Sequence, residues 1–247
     1  MSTPLSKDTY LAAVQANGEL MVAAARKGVD VAVPSCPGWN VADLVGHVGR
    51  VYRSVSEHIE RRTMEMVPRD EIPDAPEGEA VIGFFEEGHE RVLAALGDID
   101  REEPVWSWSS NQTGGFYHRR MAQETLVHRW DAENAHGATS DIDGDLAADG
   151  VSELYEVLAP RAISIDDKTP PGGTLHLHRT DGEGEWLLEL TGDEVGMTHE
   201  HAKGDAAIRA AGADLLLLVW GRVDLDGTEA EVFGDRGVAD AWLDLSR

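Results

Sequence analysis

The chain is short of cysteine, of cations and of long apolar runs, and each shortage removes a class of function. Cys36 is the only cysteine, so no internal disulfide can form, which fits a reducing compartment. One thiolate cannot build a cysteine-rich zinc site, so any metal here must fall to His and carboxylate ligands. Lys and Arg total 21 against 46 Asp and Glu, a formal net charge of -25 at pH 7. Such a field repels phosphate backbones and anionic lipid surfaces, so neither nucleic acid nor a membrane is an expected partner. An anionic substrate would need a cation placed close to its site. The longest apolar run, Leu215 to Trp220, is too short to cross a bilayer. The first residues, Met1 to Asp8, lack a basic start followed by an apolar core, so no signal peptide is expected and the expected location is cytoplasmic.

What is present suits one large or two modest globular domains: 247 residues, 42% of them hydrophobic. Leu11, Val14, Leu20, Met21 and Ala24 recur at helical spacing, which predicts a helix from about Ser6 to Lys27, closed by Gly28. The turn-rich stretch Val33 to Trp39 follows. Asn40 with Asp43 three residues later forms a variant capping box that opens a helix to about Arg62. Pro68, Pro73 and Pro76 make 66–78 a loop. A third helix is predicted from about Glu79 to Leu96, a long loop over 97–115 and a fourth helix from about Tyr117 to Ala135. Four helices of this length suggest a four-helix bundle, an architecture that often carries metal in its core.

After Gly144 the pattern changes. A helix near 145–160 precedes Gly173 to Arg179 and Glu185 to Leu190, an antiparallel hairpin joined by Asp181-Gly182-Glu183-Gly184. Residues 194–200 are a candidate third strand. Ala206 to Trp220 reads as a buried helix and Val238 to Leu245 as a short terminal one. The expected organisation is a helical bundle over residues 1–144 and a small α+β domain over 145–247.

The segment richest in chemistry is Glu124-Thr125-Leu126-Val127-His128-Arg129-Trp130-Asp131. Glu124 and His128 lie four apart, one above the other on a helix, where a carboxylate and an imidazole can grip one ion. His47 stands among the apolar positions of the second helix and is the candidate third ligand. Two His and one carboxylate leave a coordination position open, as catalytic zinc requires. A surface Glu–His pair and a core histidine are the alternatives that these residues alone leave open.

Two stretches add to this: Ser35-Cys36-Pro37-Gly38-Trp39-Asn40-Val41-Ala42-Asp43-Leu44 with His47, and Glu124 to Glu133. Together they resemble the mycothiol-dependent maleylpyruvate isomerase family, which belongs to the DinB-like metal-binding superfamily. Ala211 to Arg222 looks like the second domain of the same family. The resemblance implies an α+β protein with a DinB-like four-helix bundle and a C-terminal domain similar to sterol carrier proteins. It also implies zinc on His47, Glu124 and His128, with mycothiol as cosubstrate. The expected activity is attack of the thiol on a small electrophile, neutral or anionic, by a maleylpyruvate isomerase or a thiol S-transferase. The alternative is a DinB-like protein that binds metal or a small ligand without turnover. In the resemblance, Arg222 of the Trp-Gly-Arg motif faces the metal across the domain junction and binds a substrate carboxylate at two points. A surface arginine after a helix end is the other reading.

Four further features carry weaker signals. Cys36 beside Pro37 reads as a small packing residue with no neighbouring base. Asp131 is either a partner of His128 or an exposed helix charge. His176 with His178, and His199 with His201, read as exposed strand histidines although such pairs can bind metal. Trp106, Trp108 and Phe116 either line a pocket mouth or anchor their loop.

Overall fold

The computed structural model describes residues 4–165, 171–191 and 194–246, which form two compact units over Leu5–Ser140 and Asp141–Arg247. The first holds four long helices, α1 (Lys7–Ala25), α2 (Val41–Arg61), α3 (Ala80–Asp98) and α4 (Gly114–Ala135). Their starts follow local chemistry. The Ser6 hydroxyl accepts the Thr9 amide at 3.1 Å. At α2, Asn40 Oδ1 accepts the Asp43 amide at 2.9 Å and Asp43 Oδ2 accepts the Asn40 amide at 3.0 Å, so both halves of the capping box form.

The apolar face of α2, from Val41 through Leu44, Val48 and Tyr52 to Ile59, is fully buried, chiefly against α3, while α1 packs on α4. Of the apolar positions expected on α1, Leu20 is exposed. Gly18 sits mid-helix, where glycine costs about 1 kcal/mol relative to alanine. Close approach explains it: a Cβ there would lie 2.2 Å from Nε2 of His89, which contacts the Val14 carbonyl at 3.0 Å. Tyr52 of α2 and Thr125 of α4 share a hydrogen bond of 2.6 Å in the core, fixing the two helices one turn from His47 and next to Glu124. The loop between α3 and α4 is pinned: the Trp106 amide donates to Thr63 O at 2.8 Å, its ring stacks on His58 at 4.6 Å, and Trp108 meets Phe116 edge-on at 5.3 Å.

The second unit begins with α5 (Gly144–Glu153), a π turn over Leu154–Leu158 and α6 (Ala159–Ile165). A five-stranded sheet follows in the order β3-β2-β1-β4-β5, with β1 (Leu175–Arg179), β2 (Glu185–Thr191), β3 (Glu194–Thr198), β4 (Ala206–Ala210) and β5 (Glu231–Gly234). β1 runs parallel to β4, and the other neighbours are antiparallel. Leu175, Leu177, Trp186, Leu188, Ala206 and Ile208 bury one face. Helices α7 (Gly212–Val219) and α8 (Arg236–Leu243) complete the unit, which is the α+β arrangement expected after the bundle.

The expected helix over Ala206 to Trp220 needs correction. Its first five residues are β4, paired from Ala206 opposite Leu175 to Ala210 opposite Arg179, and only Gly212–Val219 is helical. Ala206, Ile208 and Ala210 are buried while Arg209 is exposed, a period of two. Alanine-rich composition favours a helix locally, but partners on both sides override so weak a preference.

Candidate metal centre

The α2–α4 packing brings His47, Glu124 and His128 into one group whose ligand atoms lie within 4.8 Å of one another. His47 Nε2 is 3.2 Å and His128 Nε2 is 3.5 Å from the same Glu124 oxygen, Oε1. The two imidazole rings meet edge-on at 5.4 Å between centroids. Two ring nitrogens and a carboxylate oxygen thus converge from two helices with hard and borderline donors only. That set suits zinc, with no further donor belonging to the group among the described residues.

Two of the three side chains, His128 and Glu124, are held from behind. His128 Nδ1 contacts Asp131 Oδ2 at 2.9 Å, which leaves Nε2 to face the centre. Asp131 is fully buried, not an exposed helix charge, and its Oδ1 accepts the Ser35 hydroxyl at 2.5 Å. Cys36 Sγ lies 3.8 Å from Asp131 Oδ2, so the carboxylate is the neighbour that local sequence did not supply. Cys36, His128 and Asp131 form a second donor group overlapping the first. His128 Nδ1 is engaged by Asp131, so we take this group as the support of His128 and not as a rival site. Arg120 Nη2 donates to Glu124 Oε2 at 3.1 Å, leaving Oε1 toward the histidines. Elsewhere in the same motif, buried Arg129 binds Glu133 at 2.7 Å and Asn17 at 3.0 Å, away from the centre.

These contacts shift the titrations. Burial alone would push the Glu124 carboxyl up, but the charge and hydrogen bonds of His128, with His47 and Arg120, hold it well below the usual range. Burial would likewise lower His128, yet Glu124, Asp131 and Cys36 hold it well above. Raised above its unfolded value, His128 stabilises the metal-free fold below about pH 6.5, and that contribution is lost as pH rises through its folded value. A metal needs the same nitrogen deprotonated. Zinc binding at pH 7 should therefore release a proton from His128, and affinity should climb about tenfold per pH unit until His128 titrates. Calorimetry in buffers of different ionisation enthalpy measures the release, and pH-independent affinity over that range would contradict the charge pair.

A cavity of about 720 Å³ reaches His47, with Trp39, Arg50 and Asp74 to Gly78 also in its wall, while Glu124 and His128 are not in it. Trp106, Trp108 and Phe116 are not in its wall. Arg50, three residues after His47 and so on the same helical face, pairs with exposed Asp74 at 3.6 Å. It is a cation in a wall that also carries Asp30, Asp43, Asp74 and Glu77, and spacing from His47 was the signal available for finding it. Arg222, the cation implied by the resemblance, belongs to the other unit. There α7 ends in a Schellman arrangement: Gly221 at φ 66° donates to Leu218 O at 3.0 Å and Arg222 N to Leu217 O at 2.8 Å. The half-buried Arg222 side chain donates to Trp220 O at 2.8 Å.

Comparisons with known proteins bear on the chain as a whole. Residues 10–133 match the mycothiol maleylpyruvate isomerase N-terminal domain and residues 145–241 match the MDMPI C-terminal domain. The crystal structure of the mycothiol-dependent maleylpyruvate isomerase superposes with a TM-score of 0.61 at 14% identity, covering 92% of this chain and 93% of that one. A crystal structure of a mutant of that enzyme gives the same values. At 14% identity the superposition speaks for the fold alone. No curated protein matches the chain. With domains of one family spanning both of its units, the chain belongs to the mycothiol-dependent maleylpyruvate isomerase family.

Proposed function

We propose that this chain is a zinc-dependent enzyme that activates mycothiol for attack on a small anionic electrophile, with maleylpyruvate isomerisation as its reaction. The observation that carries this is the convergence of His47, Glu124 and His128, with His47 also in the wall of a cavity of about 720 Å³. Three protein donors leave a coordination position for a thiol, and a cavity that reaches one of them, His47, favours turnover over a sealed binding site. Bound zinc would supply a Lewis acid that lowers a thiol's pKa. The chain's own groups do the rest. His47 and His128 present Nε2, Arg120 and Asp131 hold Glu124 and His128 in position, and Arg50 attracts an anion into the cavity. The thiolate adds to the cis double bond of maleylpyruvate, the bond between the two carbons becomes single and rotates, and expulsion of the thiolate leaves the trans product. No atoms are gained or lost.

The test is an assay of zinc-loaded protein with mycothiol and maleylpyruvate, with and without chelator. Turnover that needs both thiol and metal supports the proposal. A stable thioether with another electrophile and none of the isomerisation would make the protein an S-transferase. Silence with every electrophile would leave a binding protein.

The family resemblance is what supports a role for Arg222 as a carboxylate clamp. Arg222→Lys keeps the charge and loses the planar two-point grip. We expect unchanged zinc content and a KM for maleylpyruvate about tenfold higher, since a charge-assisted hydrogen bond contributes about 1.5–3 kcal/mol. An unchanged KM in this variant, with a raised one in Arg50→Lys, would transfer the clamp to Arg50.

A further inference from the structure

A second cluster of ligand-type side chains lies in the C-terminal unit, with no part in the chemistry above. β1 presents Leu175 and Leu177 to the core, so His176 and His178 project from the opposite face of the sheet. The antiparallel register sets His178 directly across from Glu185 of β2, and the segment after β3 carries His201 over the same spot. Three imidazoles thereby meet one carboxylate. His176 Nε2 lies 2.5 Å from Glu185 Oε2, while His178 Nδ1 and His201 Nδ1 lie 2.6 Å and 3.0 Å from Oε1. The expectation of exposed strand histidines thus fails for β1: His176 is buried and His178 half-buried. His199 lies apart from the cluster, with its Nδ1 3.1 Å from the Glu185 carbonyl.

We propose that His176, Glu185 and His201 form a second metal site for zinc or a similar imidazole-preferring divalent ion, with His178 supporting the Glu185 carboxylate. The donor atoms of the first three lie within 4.8 Å of one another. Around a tetrahedral ion with bonds of about 2.0–2.1 Å, ligand atoms stand about 3.3 Å apart. The His176 and His201 contacts to Glu185, at 2.5 Å and 3.0 Å, therefore need to open by less than 1 Å to admit one. All three imidazoles aim a ring nitrogen at the same carboxylate, on the face of the sheet opposite Leu175 and Leu177. Imidazole with a single carboxylate selects zinc, nickel or copper over magnesium or calcium. A cavity of about 410 Å³ adjoins, lined by His176, His201, Lys203, Ala207 and Phe233, so exchange with solvent has a path.

Zinc and cobalt titrations of the full chain test this separately from the bundle. The wild type should bind two equivalents. His128→Ala, which disables the bundle centre, should still bind one. His201 is 78% exposed, so His201→Gln should fold as the wild type does while weakening the second equivalent at least about tenfold. Glu185→Gln should do the same, and cobalt bound to His128→Ala should show the visible absorption of a four-coordinate site. A His128→Ala chain that binds no ion, or one whose binding ignores both C-terminal substitutions, would overturn the proposal. Neither result depends on turnover.

Discussion

Replacing His128 by alanine should remove one zinc equivalent per chain and lower thiol-dependent turnover by about a thousandfold or more. The second figure follows from the size of the effect removed. Lewis-acid stabilisation supplies several kcal/mol, and each 1.36 kcal/mol is a factor of ten. The bundle should survive the change. His128 is at the edge of the core, 13% of its side chain being exposed, and α4 is held to α2 by Tyr52–Thr125 and to α1 by Arg129–Asn17. Metal analysis, circular dichroism and turnover measured on the same preparation separate loss of the ligand from loss of the fold. An unchanged zinc count with unchanged activity would remove the basis for this centre. A lost zinc with full activity would show that the metal is structural.

The next largest effect is expected one contact further out. Asp131→Ala removes the acceptor that fixes the ring of His128 and leaves the Ser35 hydroxyl without its 2.5 Å partner. Partners that orient metal-bound histidines are typically worth 10–100-fold in metal affinity, so zinc binding should weaken by about that range. Asp131→Asn keeps the volume and one acceptor oxygen but not the charge, and should fall between the two. The ordering, read from competition with a chromophoric chelator, distinguishes orientation from packing. Were the asparagine variant as weak as the alanine one, charge would be the decisive property. Were both as tight as the wild type, Asp131 would be a burial accident with no bearing on the metal.

The parts of this architecture legible in the chain are those written in short-range patterns. Asn40 and Asp43 mark the start of α2 because a capping box is local chemistry. Glu124 and His128 fall on one face because a helix has a fixed pitch. The contributions of Asp131, Arg120 and Arg50 depend on which surface each helix buries. Asp131 and Arg120 share α4 with Glu124 and His128, yet α4 is buried around most of its circumference, so no polar stripe distinguishes a supporting charge from an exposed one. β4 was hidden for a related reason. Five residues rich in alanine carry little strand preference, and their conformation is set by β1 and β5 on either side. The cluster at Glu185 is a product of register: His178 and Glu185 meet only because the hairpin turn fixes the pairing, and His201 joins them from a segment 16 residues on from Glu185.

Substitution of cobalt into the protein, followed by addition of mycothiol, bears most directly on the claim that the bundle centre activates a thiol. Sulfur bound to cobalt gives an intense ligand-to-metal charge-transfer band in the near ultraviolet, while nitrogen and oxygen ligands do not. The wild type should develop this band as mycothiol is added, saturating at one thiol per chain, and His201→Gln should behave identically. His128→Ala should show none. A band of undiminished intensity in His128→Ala, or its absence from the cobalt-loaded wild type at saturating mycothiol, would contradict the account.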